Sequence, residues 1–134
     1  MSGTVYETIK IRVNKTMDEL GDVLDQLRVA WNGGVRQIDE KRDYEGLPQE
    51  YVYSQSNDKL AISFYGTKLL PLQFKKNWVV QFYIVSWGAQ CDVFLAAVGS
   101  SALHRFWNGK SQSIDLQYSI EKRNEIADIL GKLN

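Results

Sequence analysis

Hydrophobic patterning predicts an α+β fold: a curved, mainly antiparallel sheet of about six or seven strands, with one helix from the N-terminal half and one C-terminal helix packed on one face. Three observations carry this expectation. Residues 5–13 alternate apolar and polar with a period of two, and two segments repeat apolar residues at three and four. Between them, runs rich in aromatic and β-branched residues are broken by turn signals. With 134 residues, 44% of them hydrophobic, residues 1–134 are expected to form one domain around one sizeable core.

Val5, Ile9, Ile11 and Val13 share one parity of the first strand, with Glu7 the exception on that inner face. Thr16-Met17-Asp18-Glu19 then reads as a capping box, in which the Thr16 hydroxyl and the Glu19 carboxylate satisfy backbone N–H groups at a helix start. Met17, Leu20, Leu24, Leu27 and Trp31 form the apolar stripe of a helix over 17–31, and Asn32-Gly33-Gly34 supplies a left-handed stop. Residues 33–49 show no sustained period. They read as a long connection or a short helix near 36–43, and connections of this length usually cover or bind something.

Tyr51-Val52-Tyr53 and Leu60–Tyr65 flank Ser56-Asn57-Asp58 and read as a hairpin. Leu69-Leu70-Pro71-Leu72 suits an edge or an irregular crossing, since proline cannot donate to a ladder. Residues 78–87 and 91–98 are apolar on both parities, as central strands buried on two sides should be. Asn108-Gly109 favours a tight turn between strands at 103–107 and 113–118. Ser119 can cap a last helix with Ile126, Ile129, Leu130 and Leu133 on its buried stripe.

The charge is zero overall, yet uneven. Residues 16–50 carry four basic against nine acidic side chains, whereas residues 51–112 carry six basic against two acidic. The absence of a net basic excess argues against a nucleic-acid binder, and no apolar run is long enough for a membrane span. The single cysteine, Cys91, cannot form an internal disulfide, and the first residues lack a secretory signal. The chain is therefore expected in the cytoplasm of a cell or a host.

Chemistry-bearing motifs are sparse. One cysteine and one histidine, His104, do not make the common zinc sets, so neither metal nor cofactor is expected, and no serine stands in a Gly-x-Ser-x-Gly elbow. Gly33-Gly34 follows a helix, the wrong end for cradling phosphate. Within His104-Arg105-Phe106-Trp107, Arg105 and Trp107 share a strand face and could stack on and pair with an anionic ring; otherwise the aromatics fill the core margin and Arg105 reaches water. The loop residues Arg36, Arg42 and Tyr44 belong to a flap or to a solvated connection. Trp87, at a strand end beside a turn, is expected to line a cleft or patch.

Together these features favour a non-enzymatic protein that binds one macromolecular partner stoichiometrically, as inhibitors, immunity, anti-defence and adaptor proteins do. The partner expected is a protein, through Arg36, Arg42, Tyr44, Trp87, Arg105 and Trp107. The alternative is a pocket between sheet and helices holding an anionic aromatic or nucleotide-like ligand through Arg105, Trp107 and Arg36. A third reading is an acid/base enzyme using His104 with Asp39 or Asp43. An exposed edge at residues 69–72 would allow a homodimer.

Overall fold

The computed structural model describes residues 3–41, 44–69, 71, 75–105 and 111–134, with the backbone alone for residues 44, 101–105, 111 and 112. Six strands form one antiparallel sheet: β1 (Thr4–Val13), β2 (Gly34–Gln37), β3 (Lys59–Leu69), β4 (Lys75–Ser86), β5 (Cys91–Arg105) and β6 (Ser111–Ile114). Their order is β1-β5-β4-β3-β2, and β6 pairs with the far end of β5 across an irregularity between Ser100 and His104. Helices α1 (Met17–Ala30) and α3 (Leu116–Gly131) pack on one face, and a one-turn helix α2 (Gln49–Val52) lies in the connection from β2 to β3. The sheet is not closed into a barrel: β1 and β2 are its edges.

Local chemistry sets the helix boundaries. Thr16 and Glu19 form the expected reciprocal capping box, at 3.2 Å and 3.1 Å. At the other end Gly33 N–H donates to the Arg28 carbonyl at 2.9 Å while Asn32 takes a left-handed φ of 49°, which turns the chain into β2. Helix α3 starts earlier than the serine signal implies. Asp115 is its cap, accepting from the Tyr118 N–H at 2.7 Å, and Ser119 is buried inside the first turns with its hydroxyl accepting from Val79 N–H at 3.0 Å. The last strand, expected over 113–118, therefore ends at Ile114.

The two faces of the sheet are covered by different layers. On the helix face, Val13, Phe64, Trp78, Val80, Phe82, Ile84, Val93 and Leu95 meet Leu20 and Leu24 of α1 and Ile126 and Leu130 of α3. On the opposite face, Ala61, Tyr83, Val85, Phe94 and Ala96 are covered by Ile38, Leu47 and Tyr51 from the β2–β3 connection. That connection is the long segment expected to cover something, and what it covers is the second face of the sheet. We call it the strap. Its fixings are the Lys10–Glu50 ion pair, the Tyr51–Tyr83 ring contact at 5.3 Å, and a hydrogen bond from Ser56 Oγ to the Ser86 carbonyl at 2.6 Å.

Two short elements depart from expectation. Residues 34–37 are a strand rather than part of a helix, because pairing with residues 62–65 of β3 supplies what local pattern does not. Residues 51–53 are not a strand: the Pro48 carbonyl accepts from Val52 N–H at the start of the α2 turn and Tyr51 is drawn down onto Tyr83. The central positions of β4 and β5, by contrast, follow their two-sided apolar sequences.

Candidate functional site

The best-defined polar cluster sits where β4 turns into β5, on the strap face. Register places Arg12 of β1 opposite Asp92 of β5. Asp92 is 5% exposed, and its carboxylate receives three hydrogen bonds: from Arg12 Nε at 2.8 Å, Arg12 Nη2 at 3.2 Å, and the Trp87 indole Nε1 at 2.9 Å. The hydrogen bond from Arg12 holds the Asp92 carboxyl below its ordinary pKa, against the opposing effect of burial. Arg12 in turn is pushed further towards its charged form by the same bond.

Neither donor is itself buried. The Arg12 side chain is 58% exposed and Trp87 is 49% exposed, so one buried carboxylate fixes an arginine and a tryptophan side by side at the surface. Lys10 stands in the next row, paired with Glu50 and 5.7 Å from the Phe94 ring centroid.

Of the residues proposed from sequence, Trp87 belongs to this surface. Arg36 does not: it lies on β2 opposite Ser63, and Ser63 lies opposite Gln81, six positions before Trp87 along β4. That is roughly 20 Å along the strands. Tyr44 opens a 3-10 turn (Tyr44–Gly46) and Arg105 ends β5, with only their backbones described, while Arg42 and Trp107 lie outside the described residues. His104 pairs through its backbone with Gln112.

Arg12 and Asp92 are not among the residues expected from sequence. The signal for Asp92 is its place as the lone charge in the apolar run 91–98, whereas Arg12 needs the pairing of residues 80 positions apart.

The space between sheet and helices, the place of the alternative ligand pocket, is filled by Leu20, Phe64, Phe82, Leu95 and Ile126, each at most 1% exposed. A groove of about 730 Å³ opens instead under the strap, among Ile38, Glu40, Leu47, Tyr51, Lys59 and Ala61. There Tyr51 donates to Glu40 at 2.6 Å, and burial raises its phenol pKa. Cys91 is fully buried, which pushes its thiol pKa up.

Among the described residues no three His, Cys, Asp or Glu side chains gather as metal ligands, and no helix is long and apolar enough to cross a membrane. The chain matches no protein-family model, no curated protein and no solved structure.

Proposed function

We propose that the protein acts by stoichiometric binding to a protein partner, through the surface built on Asp92. The observation that carries this reading is the Arg12–Asp92–Trp87 arrangement: the two side-chain types that most often dominate interface energetics, exposed together and already locked by one buried acceptor. Locking them before encounter lowers the side-chain ordering cost that association otherwise incurs. Arg12 uses Nε and Nη2 on Asp92, and its guanidinium retains outward N–H groups for a partner's carboxylate or carbonyl. The filled interior on the helix face also favours an outer surface over an interlayer pocket. The lone buried thiol fits a reducing cytoplasm, where we place the protein.

The test uses the purified chain as bait in cell extract, alongside Trp87→Ala and Arg12→Ala. A partner recovered at fixed stoichiometry by the wild type, co-eluting in size-exclusion chromatography, and weakened more than about tenfold by each substitution supports the reading. Both variants should keep the far-ultraviolet circular dichroism of the wild type. Equal retention of that partner by both variants refutes the assignment of this surface.

A further inference from the structure

Strand β2 stops short of the end of its neighbour. It pairs with residues 62–65 of β3, and one further bond, from Ile38 N–H to the Ala61 carbonyl at 3.0 Å, closes the ladder before the chain turns at residues 40–41. Strand β3 itself begins at Lys59. Among the described residues its outer edge is therefore bare next to Lys59 and Leu60.

The direction of the backbone groups there follows from their alternation along an antiparallel ladder. Ser86 N–H donates to the Asp58 carbonyl, so even-numbered residues at this end of β3 face β4; the Ile38–Ala61 bond shows odd-numbered ones facing β2. Lys59 N–H, the Lys59 carbonyl and Ala61 N–H thus point outward at the end of β2. Among the described residues none of these three groups has a hydrogen-bond partner. Ala61 is 7% exposed, and a backbone donor at that depth is costly to leave unpaired.

These groups border the groove of about 730 Å³, whose lining includes Lys59, Leu60 and Ala61. Most of its charged side chains are already engaged. Glu40 accepts from the Tyr51 hydroxyl at 2.6 Å, Asp39 accepts from Lys41 N–H at 3.1 Å, and the Lys59 ammonium donates to the Val52 carbonyl at 3.3 Å, which leaves the exposed Lys41 ammonium. What the groove offers is a strand edge of donors and an acceptor beside an apolar wall of Ile38, Leu47 and Tyr51. A backbone in extended conformation carries the complementary groups at the same spacing.

We infer that this groove binds an extended peptide segment of a partner protein, which adds to the bare edge of β3 at the end of β2. The peptide's N–H donates to the Lys59 carbonyl, and its carbonyl oxygens accept from Lys59 N–H and Ala61 N–H. Because side chains alternate along a strand, one apolar side chain enters among Ile38, Leu47 and Tyr51 while its neighbours turn away. The groove shares no residue with the Asp92 surface, so the two assignments stand or fall separately.

A phage-displayed library of random linear heptapeptides, panned on the wild-type chain, supplies the probe. Enriched sequences are synthesised with both ends blocked and titrated against wild type, Lys59→Pro, Ala61→Pro and Trp87→Ala. Proline is tolerated where a strand's N–H faces outward, so each proline removes one edge donor and spares the ladder to β4. Each should weaken binding more than about tenfold, with Trp87→Ala unchanged. Leu47→Arg, which obstructs the apolar wall without touching the strand, should do the same and serves where a proline variant fails to fold. In the wild type, bound peptide should slow deuterium exchange at the Lys59 and Ala61 amides. No enrichment over an unrelated protein, equal binding by the proline and Leu47→Arg variants, or loss of binding in Trp87→Ala alone overturns the inference. So does a concentration-dependent dimer of the wild type, abolished by Ala61→Pro, because a second copy would then be the occupant.

Discussion

Replacing Asp92 by asparagine preserves shape and removes charge, so it isolates what the buried carboxylate contributes. The carboxylate accepts from Arg12 twice and from Trp87 once. Asparagine offers one oxygen, and its amide nitrogen turns two donors against the arginine or the indole, so at least one of these bonds is lost. Charge-assisted hydrogen bonds contribute about 1.5–3 kcal/mol each. The exposure of the arginine draws the value down, and the neutral amide is cheaper to bury than a carboxylate. Asp92→Asn should therefore destabilise by roughly 1–2 kcal/mol at pH 7, or about 3–8 °C in Tm for a chain of this size.

The difference must also depend on pH. Because the folded carboxyl titrates below its ordinary value of about 3.9, its contribution is complete above that pH and is lost as pH falls through the lowered folded pKa. Urea unfolding followed by circular dichroism, repeated from pH 7 down to pH 2, should show the gap between wild type and variant closing at the acidic end. Other acids titrate alike in both proteins and cancel. Equal stability at pH 7, or a gap that persists undiminished at pH 2, would refute the reasoning.

Two further outcomes follow from packing. The Lys122 ammonium lies 4.2 Å from the Trp31 ring centroid, 5.6 Å from Trp78 and 5.5 Å from Tyr118, with only 13% of its side chain exposed. Lys122→Met keeps the aliphatic stem and removes the charge from that aromatic box, and should cost about 1–2 kcal/mol in urea unfolding. Gly99 faces the start of α3, where a β-carbon would collide with Leu116 Cβ and stand 2.9 Å from its Cα. Gly99→Ala must push the helix off the sheet and should lower stability by about 1–3 kcal/mol, with faster amide exchange concentrated in the first turn of α3.

How far the sequence discloses this structure depends on the range of the interaction that decides each element. Helix α1 is legible because its cap, stripe and stop all act within a few residues: Thr16 with Glu19, Leu20 with Leu24, Asn32 after Trp31. The central strands are legible because the middles of β4 and β5 are buried on both sides and so are apolar on both parities, with Gln81 and Asp92 as exceptions. Strand β2 is not, since four residues without alternation are fixed only by their ladder with β3. Tyr51-Val52-Tyr53 misleads because aromatic and β-branched residues suit a strand locally, while the docking of Tyr51 on Tyr83 selects a helical turn.

The candidate site divides in the same way. Trp87 is visible from its place beside a turn, whereas its link to Arg12 passes through Asp92 and exists only once β1 and β5 are in register. The capping of α3 by Asp115 rather than Ser119 is a contest between two suitable caps four residues apart. It is settled by burial of the serine against Val79.

The contrast between the two sheet faces explains where binding chemistry can be placed. The helix face is closed by large side chains with almost no exposure, and a polar group inserted there would have no acceptor. The strap face instead carries Ser63, Gln81 and Asp92, all buried, beneath a connection held by an ion pair and a few hydrogen bonds. A sheet stabilised from one side can tolerate polar groups on the other, including groups that weaken the fold when nothing is bound. The proposed binding surface accordingly uses this face at its exposed hairpin end, where Asp92 stiffens Arg12 and Trp87.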